Sequence, residues 1–203
     1  MITSAEAKLG KNMALLGAIL LVASIAINFL GSSDDSNPQL ALISSLMDFV
    51  SNFSLIIIIM YSIKLFNLDE EPFIKAIGSI SIIGVTLAML TDLSPAFANV
   101  GFGPDGFTTE QISEISNTVT SGTWIVMPLF VLLVSIKYRG DMLPSWGGLG
   151  GIVAGSLMIL MQAAALSGLV SDPMIFWPIW LVAGGIGFPL FAVGMSKAFA
   201  SKI

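Results

Sequence analysis

Six stretches of apolar residues alternate with short polar connections along the chain. A helix needs about 20 mainly apolar residues to cross a bilayer, and these stretches approach or exceed that length. The predicted spans cover residues 13–30, 40–63, 73–90, 122–136, 146–169 and 174–199. The pattern predicts an all-α membrane protein, a six-transmembrane-helix bundle that occupies residues 1–203 as a single transmembrane domain.

The only long connection, residues 94–121, follows the third span. Its second half begins with Thr108-Thr109-Glu110-Gln111, which has the capping-box pattern of a helix start. Ile112, Ile115 and Val119 then recur at helical spacing, which is typical of an amphipathic helix. We expect this long third connection to cap the outer face of the bundle.

Two of the predicted spans contain residues that disturb a helix. Pro128 lies in the fourth span, where proline commonly kinks a helix. The run Gly184-Gly185-Ile186-Gly187-Phe188-Pro189 interrupts the sixth span. Such interruptions free backbone groups, which at membrane depth must be satisfied by protein or by a water-lined cavity.

The charges are strictly segregated in the six-span arrangement. The basic residues lie at the tails or in the second and fourth connections: Lys8, Lys11, Lys64, Lys75, Lys137, Arg139, Lys197 and Lys202. The other connections hold only acidic charges: Asp34, Asp35, Asp92, Asp105, Glu110, Glu114 and Asp172. By the positive-inside rule this predicts a multi-pass protein of the plasma membrane with both termini cytoplasmic. Aromatic residues would then mark the inner interface (Tyr61, Tyr138, Trp146) and the outer one (Trp124, Trp177, Trp180).

Composition narrows the chemistry. The chain is 55% hydrophobic and only 10% charged, whereas soluble domains are about a quarter charged. It contains neither cysteine nor histidine, which removes disulfides, the usual ligands of haem and zinc, and the commonest general base. We expect no cofactor, no metal site, no catalytic residue and no nucleic-acid partner.

The second span carries a polar stripe around Asp48. At 100° per residue, Ser44, Ser45, Ser51 and Asn52 all fall within roughly 60° of Asp48. A carboxylate at membrane depth costs at least about 2.5 kcal/mol, so it should face protein or water and not lipid.

Several other polar or small residues have a depth similar to that of Asp48. They are Gln162, Thr86, Ser24, Gly184 and Gly185. One interpretation is a polar pocket in the outer half of the bundle. The alternative is a set of interhelical hydrogen bonds with a purely structural role. The sequence leaves these two open.

Small residues recur at four-residue spacing in the fifth span, at Gly147, Gly151 and Gly155. This spacing lets two helix backbones approach closely. Packing inside the same bundle is the favoured interpretation, and homodimerisation is the alternative.

The segment Lys137-Tyr138-Arg139-Gly140-Asp141-Met142-Leu143-Pro144-Ser145-Trp146 precedes the glycine-rich fifth span. Its basic residues, its Leu-Pro-x-Trp turn and the following helix resemble the fourth connection of an uncharacterised prokaryotic family of six-helix integral membrane proteins, a domain of unknown function. The resemblance implies the same span count and orientation, but it supplies no activity.

Three function classes follow from these patterns. The first is a non-enzymatic binding or accessory protein, whose partners are the lipid bilayer and either a second copy or a larger membrane complex. The second is a small proton- or cation-coupled transporter that uses Asp48. The third, least favoured, is a membrane enzyme acting on lipid. Because Leu55 to Met60 are uninterruptedly apolar, no polar path across the membrane is evident, and binding ranks above transport.

Overall fold

The computed structural model describes residues 2–29, 37–91, 93–98, 101, 106–168 and 176–203. These residues form helices and turns, and no β-strand occurs among them. The helices are α1 (Ser4–Phe29), α2 (Pro38–Leu65), α3 (Pro72–Thr91), α4 (Leu93–Phe97), α5 (Thr109–Thr120), α6 (Thr123–Tyr138), α7 (Ser145–Leu166), α8 (Trp177–Trp180) and α9 (Phe188–Ala200). A short 3-10 turn, Leu68–Glu70, follows α2, and a π-helical turn, Leu181–Gly187, joins α8 to α9.

Within the described part of the chain, five helices are long and apolar enough to cross a membrane: Ser4–Ile27, Gln39–Leu65, Pro72–Thr91, Ser145–Leu166 and Trp177–Ala200. The fourth predicted span corresponds to α6, whose 16 residues measure about 24 Å and fall short of the ~30 Å hydrocarbon core. Together α5 and α6 form a pair bent by 42°, which would be a sixth span if counted as one. α6 itself continues through Pro128. The chain is therefore a helical protein with five or six candidate membrane spans.

The first helix begins earlier than the sequence predicts, at Ser4 instead of residue 13. Hydropathy misses these turns because they contain Lys8 and Lys11, yet Ala7 is fully buried. A Cβ placed on Gly10 would lie 2.9 Å from the ring of Phe199, so α1 packs closely on α9 here. The predicted span ends at residues 30, 169 and 174 lie outside the described part of the chain.

Six of the described helices, which we call the long helices, form a closed ring: α1, α2, α3, α6, α7 and α9. Contacts join α1 to α2, α2 to α3, α3 to α6, α6 to α7, and α7 to α9, and α9 packs back on α1. Within this ring the side chains of Val131, Val134, Met195 and Phe199 are completely buried. The first and last long helices of the chain are thus direct neighbours.

Three ion pairs lie at one end of this ring: Glu6 with Lys64, Asp69 with Lys75, and Glu71 with Lys137. They join the start of α1 to the end of α2, and the α2–α3 connection to α3 and to the end of α6. The hydrogen bond from Lys75 holds the pKa of the Asp69 carboxyl below its usual range. We call this end, defined by the three ion pairs, the charged end. The acidic residues predicted for the opposite connections lie outside the described residues at Asp34, Asp35, Asp92, Asp105 and Asp172.

The connection after α6 is a tight turn at the charged end. The Gly140 N–H donates to the Leu143 carbonyl at 2.7 Å, and Gly140 has a φ of +85°, which favours glycine. The ring of Tyr138 stacks on Phe66 with centroids 4.3 Å apart. The Tyr138 hydroxyl also donates to the Phe66 carbonyl at 3.1 Å, so this turn is fixed to the α2–α3 connection.

The capping box predicted at Thr108 is confirmed, since Thr108 and Gln111 exchange side-chain to backbone hydrogen bonds at the start of α5. The buried face of α5 differs from the apolar pattern. Ile112 is buried, whereas Ile115 and Val119 are more than half exposed. A hydrogen bond on the Ser116 face explains which side of α5 is buried. The Ser116 hydroxyl donates to the Thr91 carbonyl at 2.8 Å. Because Thr91 is the last residue of α3, this carbonyl has no partner within its own helix.

The predicted interruption of the sixth span is a π-helical turn and not a gap. The Phe188 N–H donates to the carbonyl of Ala183, five residues earlier, so backbone hydrogen bonding continues in a wider turn. Pro189 accounts for this geometry, because it lacks an N–H and its ring would clash with the carbonyl four residues earlier in a regular helix.

Candidate functional site

The polar stripe of α2 faces α1. The hydroxyls of Ser24 and Ser44 are 2.9 Å apart, and both side chains are buried. Ser24 is also a hydrogen-bonding partner of the Asp48 carboxyl. The Ser51 hydroxyl donates to the Gly17 carbonyl at 3.2 Å. α1 can approach α2 this closely because Gly17 has no side chain.

A cavity of about 280 Å³ lies inside the ring beside this stripe. Five helices, α1, α2, α6, α7 and α9, supply its walls together with α8 and the π-helical turn. The lining residues are Gly17, Ala18, Leu21, Asp48, Ser51, Asn52, Leu55, Ile58, Trp124, Met127, Met158, Trp180, Gly184, Phe188, Phe191 and Ala192. Its volume is close to the lower end of the range for small-molecule sites, about 300–1,000 Å³.

The walls of the cavity differ sharply in character. α2 contributes the carboxyl, hydroxyl and amide groups, from Asp48, Ser51 and Asn52. The facing helices α6 and α7 and the α8–α9 segment contribute aromatic and thioether side chains, with Trp124 and Trp180 among them. One wall can therefore hydrogen-bond a ligand, and the remaining walls can cover apolar surface.

The π-helical turn brings backbone to the cavity. A Cβ added to Gly184 would lie 3.6 Å from the indole of Trp180, at ordinary contact distance. The indole therefore packs over the glycine four residues further along the chain. π-helical turns within α-helices are frequent at functional sites, and this one borders the cavity directly.

The cavity lies at mid-height in the bundle. Its lining on α2 runs from Asp48 to Ile58, which is the middle third of that 28-residue helix. Below it, toward the charged end, Ile59, Val131 and Met195 are at most 1% exposed. This core separates the cavity from the charged end.

Two further buried serines of α2, Ser54 and Ser62, are not among the residues that line the cavity. The Ser54 hydroxyl donates to the Val50 carbonyl at 2.9 Å, and the Ser62 hydroxyl donates to the Ile58 carbonyl at 2.6 Å. Each thus bonds to the backbone of its own helix, and the described residues offer no continuous polar line from Asp48 to the charged end.

Some of the predicted site residues lie elsewhere. Thr86 donates to the Ile82 carbonyl in its own helix at 2.7 Å, and the Gln162 amide donates to the Ser121 carbonyl at 3.4 Å. The structure thus brings Asp48, Ser51, Asn52 and Gly184 to one cavity. Ser44, Ser45, Thr86, Gln162 and Gly185 are not among its lining residues.

The glycines of α7 make contacts within the chain. A Cβ on Gly147 would lie 2.8 Å from the Cα of Gly194, and one on Gly155 would lie 2.7 Å from the Pro128 carbonyl oxygen. Gly151 faces both the Ser135 side chain and the ring of Phe191. These positions hold α7 against α6 and α9, which form the walls of the cavity opposite α2.

The aromatic and methionine walls were missed from the sequence. The sequence predicts Trp124 and Trp180 at the outer membrane interface, yet both line the cavity together with Met127 and Met158. One signal was available: Trp180 lies four residues before Gly184, so both occupy one face of a helix.

No group of three or more His, Cys, Asp or Glu residues that could hold a metal ion occurs in the described part of the chain. Comparison with protein-family models, curated proteins and solved structures finds no match. The resemblance of residues 137–146 to an uncharacterised prokaryotic family therefore stays a prediction.

Proposed function

We propose that this chain is a multi-pass membrane protein that binds a small amphipathic molecule in the cavity beside Asp48. One observation carries the proposal: the polar stripe of α2 and the aromatic wall of the facing helices meet in one cavity of about 280 Å³. Ligand sites are commonly apolar clefts in which a few polar groups fix the orientation of the ligand.

A non-enzymatic role is the favoured form of this proposal. The described residues that line the cavity include no lysine, and the chain contains no cysteine or histidine, so a serine activated by histidine or lysine and a cysteine–histidine pair are both missing there. A membrane enzyme acting on lipid consequently gains no support from these side chains. An accessory role in a homo-oligomer or a larger membrane complex is compatible with ligand binding.

Transport coupled to protons or cations through Asp48 is the second candidate. The π-helical turn favours it, because a glycine-rich turn next to the cavity could change its hydrogen-bonding pattern as the helix moves. The packed core between the cavity and the charged end favours binding over transport. We therefore rank binding first.

The proposed orientation places both termini and the charged end in the cytoplasm, with the plasma membrane as location. The supporting observation is that Lys64, Lys75 and Lys137 all form ion pairs at the same end of the ring. Positive charge on cytoplasmic connections is the general rule for membrane proteins.

Binding can be tested with three probes of nearly equal shape: benzyltrimethylammonium, neopentylbenzene and phenylmethanesulfonate. Purified protein in detergent is titrated with each probe while tryptophan fluorescence and thermal unfolding are followed. We expect at least one probe to stabilise the protein and to quench fluorescence with saturation, because Trp124 and Trp180 line the cavity.

Ala192→Leu fills the cavity from α9 and should abolish this response. Val193→Leu is the matched control, since the neighbouring residue does not line the cavity. If no probe binds, or if Ala192→Leu and Val193→Leu behave alike, the proposed function is wrong.

A further inference from the structure

Among the residues that the structure describes, Asp48 has no basic partner. No Lys, Arg or His occurs between residues 12 and 63, and no basic residue is among those that line the cavity. Asp48 is also the only Asp or Glu among the described residues that line the cavity. The carboxyl group therefore faces the cavity without a counter-charge from the described residues around it.

Several of the basic side chains are engaged away from the cavity. Lys64 lies 16 residues from Asp48 on the same helix, about 24 Å along its axis, and it pairs with Glu6. Lys137 pairs with Glu71 at the same charged end. On α9 the Lys197 ammonium lies 5.3 Å from the centre of the Trp146 ring, beyond the cavity.

The walls around this carboxyl suit a positive charge. Indole is the best aromatic partner for a cation, and two indoles, those of Trp124 and Trp180, line the same cavity. An anionic ligand would meet the carboxyl of Asp48 and no basic side chain. The hydroxyl of Ser51 is already committed to Gly17, so few polar groups remain to orient a purely neutral head group.

A bare metal ion fits the lining poorly. Calcium takes six to eight oxygen ligands and magnesium six, whereas one carboxyl, one amide and one hydroxyl line this cavity. Most of the lining is apolar or aromatic, which suits a charge carried on an organic body.

Building on the binding function proposed above, we infer that the ligand is an amphipathic organic cation with a single positive charge, such as an aryl- or alkylammonium. Its charged group lies against Asp48 and between the indoles of Trp124 and Trp180. Its apolar body contacts Met127, Phe188 and the other apolar lining residues. The ligand supplies the counter-charge that the chain does not.

The test compares affinities within the probe set at constant salt. Benzyltrimethylammonium and neopentylbenzene differ only in nitrogen replacing carbon, so their ratio of dissociation constants isolates the effect of charge. We expect the cation to bind at least about tenfold more tightly than its neutral isostere, and phenylmethanesulfonate to bind most weakly. Sodium chloride alone, titrated as a separate probe, should not reproduce the stabilisation.

Two variants locate the charge preference. Asp48→Asn keeps the shape and hydrogen-bonding capacity of the side chain, and it should reduce the tenfold preference to about twofold or less while neopentylbenzene affinity stays unchanged. Trp180→Phe keeps an aromatic wall with a weaker attraction for cations, so it should lower cation affinity several-fold more than neutral affinity. Trp180→Phe keeps the inference testable if Asp48→Asn fails to fold.

The outcomes separate the two proposals. Failure of all three organic probes to bind contradicts the proposed function itself. Equal binding of cation and neutral isostere, a preference for the anion, or an Asp48-dependent response to sodium as large as that to the organic cation each overturn the inference about ligand charge. In those three cases a ligand site in the cavity would still stand.

Discussion

Gly147 and Gly194 face each other so closely that a Cβ on either residue would lie 2.8 Å from the Cα of the other. Real Cβ atoms do not reach backbone at this distance, so α7 and α9 are in contact through their backbones. Membrane helices associate by such close packing, because no hydrophobic force drives them together within lipid. The contact also fixes the spacing of two helices whose other residues line the cavity.

Gly147→Leu should destabilise the protein by about 1–3 kcal/mol or more, because the new side chain has no room between the two backbones. The measurement is thermal unfolding in detergent. Gly122→Leu is the control: a Cβ there meets nothing within 4 Å, and we expect a change below about 0.5 kcal/mol. Equal melting temperatures for Gly147→Leu and the wild type would place this face of α7 away from other helices.

Tyr138→Phe should lower stability by about 1–3 kcal/mol, because it leaves the Phe66 carbonyl without its donor while the ring stack remains. Melting temperatures of Tyr138→Phe and Tyr61→Phe provide the comparison. An equal or larger loss in Tyr61→Phe would argue against a special role for the hydrogen bond at the charged end.

Ser135→Ala should be neutral or stabilising by up to about 1 kcal/mol. The Ser135 hydroxyl is buried and has no hydrogen-bond partner among the described residues, so its removal relieves a desolvation cost. Ser81→Ala is the opposite case, since Ser81 is equally buried and its hydroxyl lies within hydrogen-bond distance of two carbonyls, that of Ile77 at 2.8 Å and that of Val126 at 3.1 Å. Chemical or thermal unfolding should therefore place Ser135→Ala level with or above wild type, and Ser81→Ala below it. The reverse order would refute the hydrogen-bonding argument.

Orientation can be measured by cysteine labelling, because the chain has no cysteine of its own. Glu114 on α5 and Asp141 in the turn after α6 are both exposed. We expect Glu114→Cys to react in intact cells with a membrane-impermeant thiol reagent, and Asp141→Cys to react only after permeabilisation. Labelling of Asp141→Cys in intact cells would invert the proposed topology.

Hydropathy predicts the bounds of a helix to within one residue where the helix begins and ends at a polar turn. α3 is predicted as residues 73–90 and observed as Pro72–Thr91, because Pro72 suits a first helical turn. The start of α1 was misplaced by nine residues. Its early turns are stabilised by Gly10 packing on Phe199, a contact between opposite ends of the sequence that no local pattern contains.

The polar half of the candidate site was also predictable, since Asp48, Ser51 and Asn52 share one face of one helix. The apolar half was not. Which tryptophans approach Asp48 depends on the order of helices in the ring and on the π-helical turn at Leu181–Gly187, which rotates the residues that follow it. Gln162 was predicted near Asp48 only because the two residues lie at a similar depth in the membrane. It does not line the cavity, because depth alone does not say which way a helix face points.

The closure of the ring between the first and last long helices has a consequence for biosynthesis. A ribosome delivers α1 and α2 to the membrane first, and these two helices already hold the pair of Ser24 and Ser44 beside Asp48. The wall that contains Trp180 and Phe191 is made later, because these residues follow α1 to α7 in the chain. The cavity therefore cannot form before the segment that contains Trp180 and Phe191 has been inserted, and a molecule that needs both walls cannot bind to α1 and α2 alone.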